Sequence, residues 1–145
     1  MEKEFVPYEL ALRLKNLGFD EPCLAFYRFG KDFYIKGQHK NTTLAPTIGP
    51  TAPTFSQAFR WFREKYNLRG FIGFRPNDKQ FTHHVYDMSL SGKEYVKQRT
   101  MEEFNKDPKV GSYEEAELAC LDKLIEIVES KQRINRIIKD VQDGK

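Results

Sequence analysis

The sequence predicts an α+β domain: a mainly antiparallel sheet of two hairpins, four to five strands in all, covered by two to three helices, the last of them long. Three observations carry this expectation. Paired β-rich runs split by short turns occur twice, in "CLAFYRFGKDFYIKG" and in "RGFIGFR", "PNDK", "QFTHHVYDM". A helical run precedes each pair. Near the C-terminus "GSYEEAELACLDKLIEIVES" opens a long amphipathic stretch. At 145 residues the chain fits one domain, and although hydrophobic residues make up only 39%, an aromatic share of 14% supplies enough large apolar surface for a packed core.

The first helix opens at Pro7 and runs to Leu17, with Leu10, Leu14 and Leu17 on one stripe. Gly18 is placed to take the left-handed C-terminal position while Phe19 folds back on Leu14, a Schellman ending. The first hairpin follows, Cys23 to Arg28 and Asp32 to Lys36 around a turn that uses Gly30. From Gly37 to Pro53 three prolines and four threonines interrupt every periodicity, so this stretch reads as a long loop, either a tolerated insertion or a functional segment.

Thr54 caps the second helix, with Gln57 completing a T-x-x-Q capping box, and the helix ends near Tyr66 and Asn67. The second hairpin comes next. The stretch from Ser89 to Gly111 fits a fifth strand around Lys93 to Gln98 or a short helix capped by Thr100 with Glu103. Ser112 with Glu115 makes another capping box, Glu114, Glu115 and Glu117 suit the positive end of a helix dipole, and Leu121, Leu124, Ile125 and Val128 form the buried stripe. We therefore read residues 1–130 as the domain and 131–145 as a basic amphipathic helical tail, either a continuation or a separate helix. In the tail Ile134, Ile137, Ile138 and Val141 interleave with Lys131, Arg133, Arg136 and Lys139, a surface that needs something to lie against.

On a wheel of about 100° per residue, Phe55, Ala58, Phe59, Phe62 and Tyr66 share the core sector of the second helix. Trp61 falls about 120° from the centre of that sector, so it is expected to stand clear of the core. Around it Arg60, Arg63, Lys65, Arg69 and Arg75 face a single acid, Glu64. Trp61 with these five cations is the candidate contact surface, since tryptophan and arginine are frequent binding anchors and guanidinium beside rings suits an anionic planar ligand. Arginine stems that merely lie along a helix are the competing explanation.

No catalytic set assembles. His83 and His84 are adjacent in a strand and point to opposite faces, His39 lies far off, and no phosphate loop, nucleophile elbow or metal-binding helix motif occurs. Cys23 and Cys120 lack the spacing of a zinc or redox site and read as reduced core residues. No catalytic residue, metal ligand or cofactor is expected, and an unrecognised hydrolase is the remaining enzymatic alternative. A formal charge of +3 is far below that of a dedicated nucleic-acid coat. Acidic residues near the start exclude a secretory signal, and no apolar run reaches bilayer length, which points to a cytoplasmic protein without a membrane partner.

Three blocks, "FVPYELALRLKNLGFDEPCLAFY", "PTFSQAFRWFREKYNL" and "SYEEAELACLDKLIEIV", resemble small proteins carried by bacteriophages and prophage-like elements of gut bacteria. The resemblance spans roughly two fifths of the chain. It implies a phage accessory protein in a host bacterial cytoplasm, but no catalytic or ligand-binding residue. The first expectation is thus a non-enzymatic protein that binds a host protein through Trp61 and the tail, in counter-defence or host takeover, with homo-oligomers through the tail also in view. The alternatives are a nucleotide or nucleic-acid binder using the arginine and aromatic surface, including one that sequesters a nucleotide signal, and a minor structural protein of the virion.

Overall fold

Leu14, Gly18 and Phe19 show how local chemistry sets the first boundary in the computed structural model, which describes residues 1–28, 31–89 and 109–144. Helix α1 spans Tyr8–Asn16, and Gly18 sits at φ 96°, a conformation that costs a side chain but not glycine. The amide of Phe19 then reaches the carbonyl of Leu14 at 3.0 Å and that of Gly18 reaches Lys15 at 3.0 Å, the two bonds of the expected Schellman motif. Phe19 is thereby turned into the core.

The chain divides into two compact units, Met1–Ala58 with Ile125–Lys145, and Phe59–Leu124. In the first, strand β1 (Cys23–Arg28) pairs antiparallel with β2 (Asp32–His39) and with a two-residue strand β3 (Thr51–Ala52), in the order β2-β1-β3. Ala25 lies opposite both Ile35 and Ala52, and the β1–β2 register shifts between Cys23 and Ala25. The inward side chains of β1 are Cys23, Ala25 and Tyr27. The Tyr27 hydroxyl donates to the Val6 carbonyl at 2.9 Å, a buried bond that ties the N-terminal segment to β1. Val6, Ala11, Leu14, Phe19, Ala52 and Val128 belong to the same unit and are fully buried or nearly so.

The second unit holds β4 (Leu68–Arg75), β5 (Gln80–Asp87) and β6 (Lys109–Val110), in the order β4-β5-β6. The four-residue turn that the sequence predicts sets an unbroken register from Leu68 opposite Asp87 to Arg75 opposite Gln80. Both hairpins and the α+β class are as expected, yet the hairpins do not share a sheet. Each has its own three-stranded sheet, completed by a short strand from a segment with little strand pattern.

Helix α2 spans Phe55–Tyr66, with the Gln57 amide on the Thr54 hydroxyl at 3.2 Å. Half of the expected capping box forms. The Gln57 side chain instead donates to the Pro22 carbonyl at 2.8 Å. Helix α3 spans Tyr113–Gln142, capped by the Ser112 hydroxyl, which accepts from the Glu115 amide at 3.2 Å. It is continuous through Ser130, so the tail is a continuation and not a separate helix. Leu121, Leu124, Ile125 and Val128 are fully buried, as the stripe predicts.

Three expectations need correction or fall outside the described residues. The segment from Gly37 to Pro53 is not wholly irregular: β2 continues to His39, Thr51–Ala52 pairs with β1, and Leu44 is buried. The alternatives for Lys93 to Gln98 and for Thr100 with Glu103, and the turn at Gly30, lie outside the described residues. No helix among the described residues is long and apolar enough to cross a membrane.

Candidate ligand-binding face

Alternation along β4 puts Leu68 and Gly70 on one face of the second sheet and Arg69, Phe71, Gly73 and Arg75 on the other. The first face packs inward: Leu68 is buried, and a Cβ on Gly70 would meet Cys120, Leu124 and Phe59. The register then sets Tyr86, His84 and Thr82 beside Arg69, Phe71 and Gly73. The result is a short ladder of rings on the second face. Phe71 and Tyr86 lie 5.2 Å apart with only 7° between their planes, and Phe71 and His84 lie 5.0 Å apart at 29°. His84 is steered by the Thr82 hydroxyl, 3.0 Å from its Nε2.

This ladder is open to solvent at one end. Phe71 is 38% exposed, and Arg69 and Met88 are exposed beside it. Arg69, Phe71, Tyr86 and Met88 line a depression of about 510 Å³, within the size range of small-ligand sites. The Met88 amide donates to the Asn67 carbonyl at 2.8 Å, which holds the end of β5 beside the start of β4 and so fixes this corner. A second hollow of about 270 Å³, lined by Asn16, Leu17, Glu129, Gln132, Arg133 and Arg136 in the other unit, offers no ring for a planar group. There Arg13 pairs with Glu129 at 2.5 Å. The sheet face is therefore the better site.

Trp61 requires a correction. Its indole is only 6% exposed, not clear of the core. It packs edge-on to Phe62 at 5.1 Å and Tyr66 at 5.3 Å, with the Lys65 ammonium 5.1 Å from its ring centre. The wheel argument assumes a helix buried on one side, whereas the buried arc of α2 reaches round to Trp61 and leaves Phe59 and Tyr66 half-buried. A sealed indole offers no anchor to a host protein.

The cations separate by element. Arg60, Arg63 and Lys65 are exposed on α2, Arg69 is exposed on β4, and Arg75 is half-buried, its Nε 3.7 Å from Asp78. Asp78 also takes Lys109 at 3.8 Å. Of the six candidate residues only Arg69 lines the depression. Phe71, Tyr86 and Met88 escaped the sequence reading, and His84 was weighed there only for catalysis or metal binding, although the reading's own elements contained the clue. A four-residue turn between Arg75 and Gln80 already places Phe71 opposite His84.

Burial keeps both thiols protonated: it pushes Cys23 up to about 11 and Cys120 up to about 12. His83 and His84 point to opposite faces, and among the described residues no three His, Cys, Asp or Glu side chains are grouped so that they could hold a metal ion. The chain matches no protein-family model, no curated protein and no solved structure.

Proposed function

We propose that this chain is a non-enzymatic binding protein for an anionic ligand that carries a planar base, a nucleotide or a short single strand of nucleic acid. The observation that carries the reading is the near-parallel Phe71 and Tyr86 pair, with Phe71 exposed and Arg69 directly opposite Tyr86 in the register. Every base has a flat π-face, so a stack of exposed rings grips it without reading its identity, at about 1–3 kcal/mol per base. Arg69 supplies a charged donor for phosphate at the rim of the same depression. Cross-strand ring pairs also stabilise sheets by about 0.2–1 kcal/mol, which needs no ligand, but that role does not require an exposed Phe71 or a cation at its edge.

The test is fluorescence anisotropy with labelled single-stranded DNA and RNA oligomers at two salt concentrations, together with melting temperatures across a panel of nucleoside mono-, di- and triphosphates. Phe71→Ala should weaken binding by roughly one to two orders of magnitude if a base stacks there. Arg69→Ala should weaken it modestly and flatten the salt dependence by about one counterion. A strand as ligand gives steep salt dependence; a nucleotide gives a melting shift that grows with its concentration. Neither response in the wild type, or unchanged affinity in Phe71→Ala, would remove the reading.

A further inference from the structure

We infer that the end of α3 pairs, antiparallel, with the same segment of a second copy of this chain. The tail residues Ile134, Ile137, Ile138 and Val141 are 50% to 71% exposed, in contrast to the fully buried Leu121, Leu124, Ile125 and Val128 earlier in the same helix. The two stripes are not one seam. At about 100° per residue the tail stripe lies about 140° round the helix from Leu121, Leu124, Ile125 and Val128, although Ala116 and Cys120, which are also fully buried, share its side in the first turns of the helix.

The spacing of the tail is that of a coiled-coil seam: Ile134 and Val141 at a, Ile137 at d, Ile138 at e. Arg133 and Asp140 then fall at successive g positions, on one flank of the seam, and both are exposed. In an antiparallel pair each a residue meets a d residue of the other helix, and each g flank lies along the other's g flank. With Ile134 opposite Ile137 of the second copy, Arg133 faces its Asp140. Two-fold symmetry repeats both contacts, giving an isologous interface with two charge pairs. In a parallel pair g faces e, so within the exposed stripe Arg133 would lie against Ile138; the g and e positions that carry opposite charges, Glu126 and Lys131, lie ahead of that stripe. The charge pattern beside the seam thus favours a second copy in the antiparallel sense. The seam is short, so the dimer is weak and concentration-dependent, at the low end of interface sizes.

Sedimentation equilibrium of the full chain from about 10 µM to about 1 mM reads this directly. The wild type should shift from monomer to dimer across that range. Ile137→Lys, at a position 57% exposed and so harmless to folding, should weaken association at least tenfold with an unchanged circular dichroism spectrum. Arg133→Asp and Asp140→Arg should each weaken it several-fold, and the double variant Arg133→Asp with Asp140→Arg should return it to within about twofold of the wild type. A wild type that stays monomeric throughout, or a dimer indifferent to Ile137→Lys, overturns the inference. Failure of the double variant to recover overturns the antiparallel register.

Discussion

A Cβ built on Gly70 would sit 2.7 Å from Sγ of Cys120 and 3.0 Å from both Leu124 Cδ1 and Phe59 Cε1. Glycine is needed there because β4 runs close to side chains of α2 and α3, and any substituent must displace three packed groups at once. Gly70→Ala should therefore destabilise the protein by about 1–3 kcal/mol, read as a fall of several degrees in melting temperature. An unchanged melting temperature would mean that β4 lies farther from α3 than these distances say. This close approach is invisible in "RGFIGFR", where Gly70 reads only as a weak point in a strand. Trp61 departs from its expected exposure for a related reason. Periodicity states which side chains share a face, but the width of the buried arc depends on how many neighbours a helix acquires, and those neighbours are remote in sequence.

Elements whose signals are local were legible. The Schellman end of α1, the Thr54 and Ser112 caps and both hairpins each depend on residues within a few positions of one another. The segment between β2 and α2 was not legible, since what orders it is non-local. The Asn41 side chain donates to the Phe19 carbonyl at 2.7 Å and accepts from the Thr51 amide at 3.0 Å. Thr42 adds a second tie, its amide and hydroxyl both donating to Asp20 at 2.8 Å. These contacts hold Thr51 where it can pair with Phe26, making β3 from two residues that carry no strand pattern. Asn41→Ala strips partners from a buried amide and from the carbonyl of a buried residue, and should cost about 2–4 kcal/mol in urea denaturation. Asn41→Asp keeps the acceptor for Thr51 and loses the donor for Phe19, so it should fall between wild type and alanine. Amide exchange at Thr51 should accelerate in the alanine variant; if it does not, another group is satisfying that amide.

At the scale of the molecule, which hairpins share a sheet is decided by the edges, and one edge of each hairpin is taken by a two-residue strand, β3 on β1 and β6 on β5. Each unit also seals groups that must stay neutral: Cys23 and Tyr27 in one, Cys120 in the other. Burial raises Cys23 from its ordinary 9.0 to about 11, Cys120 from 9.0 to about 12 and Tyr27 from 10.0 to about 12. Between the ordinary and the raised values the unfolded chain has lost these protons while the folded chain still holds them. The unfolded state then binds fewer protons, so stability falls as pH rises; the contribution is whole below about 9 and gone above about 12. Asp20 acts in the opposite sense. The Thr42 amide holds its carboxyl below 3.8, so that contribution is present above this value and fades as pH falls through the lowered one. The melting temperature should therefore stay level from neutral pH to about 9 and then descend, each buried group adding up to about 1.4 kcal/mol per pH unit to the slope. Cys120→Ala should make the alkaline descent shallower by one such increment, whatever it does to the neutral plateau. A melting temperature level to about pH 11 in the wild type would show that these groups lose their protons equally in both states, and so that neither unit seals them from water.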